Sequence, residues 1–136
     1  MDGKDIKRDK EYLEDFKRAR SFYQKALLML DSDLETTANR TYLSFENASC
    51  SFLKWKESQV SKKHAQIWEK MSKAYLQGLL SFDPKFFLEK SYEFHLYVDY
   101  GKKEFKGEDI SFNKEELKKL LGALKKLLEE VEKIVK

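Results

Sequence analysis

Apolar residues recur every three or four positions along five stretches of this 136-residue chain, and this spacing constrains its fold more than any other feature. Such a period places the apolar residues of each stretch on one face of an α-helix. Helix breakers are scarce, because the chain has 5 glycines and 1 proline. The pattern predicts an all-α fold, an antiparallel up-and-down bundle of about five helices that forms one domain over residues 1–136.

Turn residues separate the first four helices. The "DSD" at 31–33 interrupts the apolar spacing and offers a side-chain cap to the second helix. The third helix is expected over about 62–80 and ends at "FDP", residues 82–84. Its predicted inward stripe consists of Ala65, Trp68, Met71, Tyr75 and Leu79.

The fourth helix is expected to run from Pro84, preceded by the N-cap residue Asp83, to Tyr100, with Gly101 as a left-handed cap. A loop over about 101–112 follows. Asn113 and Glu116 then have capping-box spacing at the start of the last helix. The apolar stripe of that helix is almost regular enough for a coiled-coil seam and consists of Leu117, Leu121, Leu124, Leu128, Val131 and Val135.

The charge balance is nearly even, with 27 Lys and Arg against 24 Asp and Glu. This small excess permits a nucleic-acid partner without requiring one. Cys50 is the single cysteine, which excludes an internal disulfide, and we expect a buried small residue rather than a nucleophile. The polar start of the chain and the lack of an apolar run of roughly 18 residues predict a cytoplasmic protein without membrane contact.

Motifs for metals and phosphate loops are missing from the sequence. The two histidines, His64 and His95, fall on different predicted helices without metal-ligand spacing. The scattered glycines form neither a Gly-x-x-x-x-Gly-Lys nor a Gly-x-Gly-x-x-Gly pattern. We therefore expect no metal ion and no cofactor.

His95 and Asp99 are the most suggestive pair for acid–base chemistry. They are four residues apart on the fourth predicted helix, so one helical turn places them side by side. A carboxylate beside an imidazole can orient the ring for proton transfer, and it can equally be a structural contact. The spacing allows both interpretations.

Four segments, in order, resemble the HEPN-domain family of small α-helical proteins. They are "ANRTYLSFENASCSFL", "KKHAQIW", "HLYVDYG" and "ISFNKEELKKLLGALKKLLEEV", and together they span about residues 30–135. The nearest branch is that of short, stand-alone prokaryotic proteins often encoded beside a minimal nucleotidyltransferase. The resemblance implies a helical bundle that dimerises.

In active members of that family, an Arg and a His four to six residues later form a metal-independent ribonuclease site at the dimer cleft. Here His95 occupies the position of the Arg, and the position of the His falls on or beside Asp99. In toxin–antitoxin pairs of the family, the nucleotidyltransferase transfers AMP to a Tyr just after this motif. Tyr100 is the matching residue, and it could also be a core residue or a dimer contact.

Three functions follow from the resemblance as predictions. The first is a HEPN-like component of a two-component nucleotidyltransferase system, acting mainly as a dimerising interaction module with a degenerate catalytic motif. The second is a metal-independent ribonuclease that uses His95 and Asp99, with Arg40 as phosphate clamp at a dimer cleft. The third is a nucleotide-binding helical domain. Candidate contacts to RNA or a nucleotide are Tyr42, Lys62, Lys63 and His64.

Overall fold

The computed structural model describes residues 3–57 and 60–136, with side chains from residue 11 onward. Its helices are α1 (Gly3–Met29), α2 (Leu34–Lys56), α3 (His64–Leu76), α4 (Lys85–Tyr100) and α5 (Lys114–Val135). A two-stranded antiparallel hairpin lies between α4 and α5, with strands β1 (Glu104–Phe105) and β2 (Glu108–Asp109). The predicted all-α bundle of five helices is confirmed for the described part of the chain.

The central element is α2, which packs against α1, α3, α4 and α5. Asp33 caps its first turn, since Oδ1 accepts a hydrogen bond from the Thr36 backbone N–H at 3.0 Å. Phe45 and Phe52 of α2 are fully buried. Burying a side chain of this size contributes roughly 1.5–3 kcal/mol, so the apolar face of α2 holds the bundle together.

A ladder of hydroxyl groups joins α2 to α1. Three hydroxyls of α2, seven residues apart, donate to carbonyls of α1 that are seven residues apart in the opposite direction. The pairs are Thr37 to Ala26 at 3.2 Å, Ser44 to Ala19 at 2.6 Å and Ser51 to Tyr12 at 2.6 Å. The constant step shows that the two helices are antiparallel in one register.

The position of α3 differs from the sequence prediction. The helix ends at Leu76, and Gly78, at φ 82°, turns the chain. The buried residues of α3 are Ile67, Met71 and Ala74, whereas the expected inward residues Ala65, Tyr75 and Leu79 are exposed and Trp68 is half-buried. The predicted stripe was right for Met71 and wrong for Ala65, Tyr75 and Leu79, because α2 and α4 cover α3 along a line through Ile67, Met71 and Ala74.

The direction of α3 relative to α2 is set by three polar contacts. His64 faces Glu46, Lys70 pairs with Glu57 at 2.7 Å, and Lys56 donates to Gln77 at 2.8 Å. The start of α3 lies beside the middle of α2 and its later part lies beside the end of α2, so the two helices run in the same direction and depart from the predicted antiparallel up-and-down order.

The end of α4 follows the sequence prediction closely. Gly101 has φ 68°, and its N–H bonds to the Tyr97 carbonyl at 3.2 Å. At the other end, α4 begins at Lys85, and Asp83 Oδ1 accepts from the Lys85 N–H at 3.0 Å. Pro84 therefore precedes the helix instead of opening it, a shift of one residue.

The segment expected as a loop contains the β1–β2 hairpin. Its two-residue turn is Lys106 and Gly107, both with positive φ, as a tight hairpin turn requires. Asn113 then caps α5 by accepting from the Glu116 N–H at 3.0 Å. All six residues of the predicted α5 stripe are buried, and Leu120 and Leu127 widen it.

Candidate functional site between α2 and α4

A chain of polar contacts joins α2 to α4. Asn39 Nδ2 donates to Asp99 Oδ2 at 3.0 Å, and Asn39 Oδ1 accepts from Arg40 Nη1 at 3.1 Å. The Arg40 guanidinium also lies over the Phe22 ring, 5.8 Å from its centroid. Arg40 therefore reaches Asp99 through Asn39. We call Asn39, Arg40, Tyr42, His95 and Asp99 the α2–α4 site.

His95 is held by a polar and an aromatic contact. Its Nδ1 lies 2.9 Å from Asp99 Oδ2, although this atom has no well-directed hydrogen bond to any described residue. The ring stacks on Tyr42 with centroids 4.2 Å apart, and the Tyr100 ring meets it edge-on at 5.7 Å. The side chain is 16% exposed. The predicted His95–Asp99 pair is thus formed, with one face of the imidazole covered.

The electrostatic balance beside this site is mixed. An open depression of about 230 Å³ is lined by Glu35, Asn39, Arg40 and Asp99, together with Thr36 and Val98. One guanidinium therefore faces two carboxylates. A phosphate group would be attracted by Arg40 and repelled by both acids.

A second aromatic cluster adjoins the site through Tyr42. The His64 ring lies 6.2 Å from the Tyr42 ring and 4.6 Å from the Tyr92 ring, and its Nδ1 is 3.9 Å from Glu46 Oε1. Burial, and then the Glu46 carboxylate, raise the pKa of the Tyr42 hydroxyl. Both histidines of the chain therefore lie beside the same buried tyrosine, Tyr42.

Of the residues predicted to contact RNA or a nucleotide, the two lysines do not join the α2–α4 site. Lys62 and Lys63 are exposed just before α3, next to His64, and neither forms an ion pair with a side chain of residues 11–57 or 60–136. Tyr100 is 69% exposed at the end of α4.

Burial raises the pKa of the Cys50 thiol to about 11, which agrees with its expected role as a packing residue.

Asn39, Glu46 and Tyr92 belong to these clusters and escaped the sequence interpretation. Asn39 stands next to Arg40, but its bond to Asp99 spans 60 residues. A polar residue within a predicted helix carries no signal for such a distant partner. Two spacings were local hints of shared helix faces: Glu46 is four residues from Tyr42, and Tyr92 is three residues from His95.

Comparison of the chain with protein-family models, with curated proteins and with solved structures finds no match. The HEPN resemblance therefore stays a prediction. Among the side chains that the structure describes, those of residues 11–57 and 60–136, no three of His, Cys, Asp or Glu converge as a metal site requires. Within the same ranges, no helix has the length and apolar character to cross a membrane.

Proposed function

We propose that this chain is the HEPN-like component of a two-component nucleotidyltransferase system and acts mainly as a dimerising interaction module. The observation that carries the proposal is the state of the α2–α4 site. The His95 ring is covered by Tyr42, and Arg40 is bound to Asn39 and packed on Phe22. The groups that a ribonuclease would direct at a phosphate are therefore each engaged with neighbouring side chains.

We assign Tyr100 as the residue of this chain that contacts the partner protein. It is largely exposed, stands at the helix end beside Gly101, and its ring edge meets His95. Aromatic residues of this kind are frequent anchors of protein interfaces. Its hydroxyl is also accessible to AMP transfer, in which the tyrosine oxygen bonds to the α-phosphate of ATP and pyrophosphate leaves.

Binding to a nucleotidyltransferase tests the proposal directly. The protein is co-expressed with a minimal nucleotidyltransferase of the kind that the resemblance implies, and mass and affinity are measured by light scattering and calorimetry. We expect the protein to be a dimer that binds this enzyme. Tyr100→Ala should lower the affinity about tenfold or more, as for an interface hot spot. Phe86→Ala, which removes an equally exposed ring at the start of α4, is the matched control.

Modification of the same residue gives a second readout. With ATP and the nucleotidyltransferase, mass spectrometry should find one added AMP on wild type and Tyr97→Phe but none on Tyr100→Phe. A monomeric protein that neither binds the enzyme nor accepts AMP would refute the proposal.

A metal-independent ribonuclease is the second candidate, because α2 and α4 bring Arg40 and His95 into one site. In that function His95 would move a proton at the ribose 2′-oxygen and Arg40 would stabilise the charged phosphate. The test is cleavage of a mixed RNA pool in EDTA. Cleavage that His95→Ala and Arg40→Ala both abolish would establish the ribonuclease. If the folded, dimeric protein cleaves no RNA, the ribonuclease is ruled out and the interaction module remains the proposed function.

A further inference from the structure

A small cavity lies where α2, α3 and α4 meet, apart from the α2–α4 depression. Its volume is about 10 Å³, and polar side chains line it from all three helices: Tyr42, Glu46 and Ser49 of α2, His64 of α3 and Ser91 of α4. Trp68 and Leu88 supply apolar walls. A cavity needs roughly 10–15 Å³ to hold one water molecule, so this space fits a single water and nothing larger.

Ser49 gives the first sign of an occupant. Its side chain is fully buried, and its Oγ has no hydrogen-bond partner among the described residues. Two other buried hydroxyls of α2 differ from it, since Ser44 and Ser51 both donate to carbonyls of α1. Ser49 lines the cavity instead, and buried hydroxyl groups in folded proteins almost always have a partner.

The distance between His64 and Glu46 gives a second, independent sign. His64 Nδ1 and Glu46 Oε1 are 3.9 Å apart, which is too long for a direct hydrogen bond. Polar groups at such a distance are commonly bridged by water. Both atoms belong to residues that line the same cavity as Ser49.

We propose that one ordered water molecule occupies this cavity and joins Ser49, Glu46 and His64. The water accepts the hydroxyl hydrogen of Ser49, donates to the Glu46 carboxylate, and has His64 Nδ1 as its third partner. Three protein partners are typical of buried water. This inference does not depend on the proposed function.

The water would tie the start of α3 to α2. Lys63 precedes α3 and provides no side-chain cap, so the first turn lacks the bond that Asp33 supplies to α2. His64 is the first residue of α3, and through the water its imidazole is held to Glu46 and Ser49 of the central helix. The bridge would replace a missing cap with a tertiary link.

High-resolution crystal structures of three proteins test the proposal. Wild type should show density for one water within hydrogen-bond distance of Ser49 Oγ and Glu46. Ser49→Val removes the hydroxyl and fills the cavity, so electron density for the water should be absent from crystals of this variant. Ser51→Ala, which removes a hydroxyl on the α1 side of α2, should keep the water.

Hydrogen exchange checks the link to α3 in solution. The Ile67 amide, which bonds to the Lys63 carbonyl, should exchange faster in Ser49→Val than in Ser51→Ala. An empty cavity in wild type, with Ser49 donating to the carbonyl four residues earlier, would overturn the proposal. The wild-type density decides the matter even if Ser49→Val does not fold.

Discussion

Gly101 and Gly122 are two glycines with opposite backbone requirements. Gly101 has φ 68°, in the left-handed region, whereas Gly122 lies within α5. A Cβ added at either position would meet no atom within 4 Å. Substitution by alanine therefore tests backbone conformation without steric clash.

We expect Gly101→Ala to lower the free energy of unfolding by about 1–2 kcal/mol, because alanine is strained in the left-handed conformation. Gly122→Ala should raise it by about 0.5–1 kcal/mol, since alanine is the better helix former. Urea unfolding of both variants measures the two changes. Changes of the same sign would contradict the assigned role of Gly101.

Cys50 is a single thiol whose reactivity reports its surroundings. With a pKa of about 11, only about a thousandth of the thiol is ionised at pH 8, and the thiolate is the reactive form. We expect slow alkylation of the folded protein at pH 8, faster alkylation as the pH rises towards 11, and rapid alkylation in urea. Because the chain has one cysteine, total labelling measures Cys50 alone. Equal rates with and without urea would show an accessible thiol.

The α1–α2 pair illustrates how an element is held by polar as well as apolar contacts. Ser44 and Ser51 donate to α1 carbonyls from buried positions, at a step of seven residues. Hydroxyl-to-backbone bonds of this kind align the two helices lengthwise, which apolar packing alone does less sharply.

Removing one bond of this ladder should destabilise the protein measurably. We expect Ser44→Ala to lower the free energy of unfolding by about 0.5–1.5 kcal/mol, the usual net contribution of a hydrogen bond. Ser21→Ala is the matched control, because Ser21 is exposed on α1 and should change stability by less than about 0.5 kcal/mol. Chemical denaturation of both variants gives the comparison. Equal effects would mean that the ladder contributes nothing.

At the scale of the whole molecule, Tyr42 connects three helices. It belongs to α2, stacks on His95 of α4 and lies near His64 of α3. Its hydroxyl has a raised pKa, first because of burial and then because of Glu46. The folded state therefore favours the protonated tyrosine.

Stability should fall at alkaline pH for this reason. Above the ordinary tyrosine pKa of about 10, the unfolded chain releases the proton first, so this contribution is complete below pH 10 and decreases by up to about 1.4 kcal/mol per pH unit above it. Tyr42→Phe keeps the ring and removes the titration. We expect its free energy of unfolding, measured between pH 8 and 11, to fall less steeply than that of wild type. Parallel curves would contradict the pKa direction.

The sequence by itself determined the number of helices and most of their ends, since capping and apolar spacing act over a few residues, whereas α3 is shorter than predicted. Asp33, Gly101 and Asn113 end or begin helices as predicted, and the His95–Asp99 pair follows from one helical turn. The buried stripe of α5 was also predictable from the sequence, because a long amphipathic helix has only one apolar face.

Only the tertiary structure decided which faces and distant residues meet. The bond between Asn39 and Asp99 needs α2 and α4 to be antiparallel neighbours, and the water-sized cavity at Ser49 exists only where three helices converge. The buried face of α3 depended in the same way on which neighbours cover it. Local spacing specifies each helix separately, whereas packing of the whole chain selects the register between helices, and the candidate site is made of those contacts.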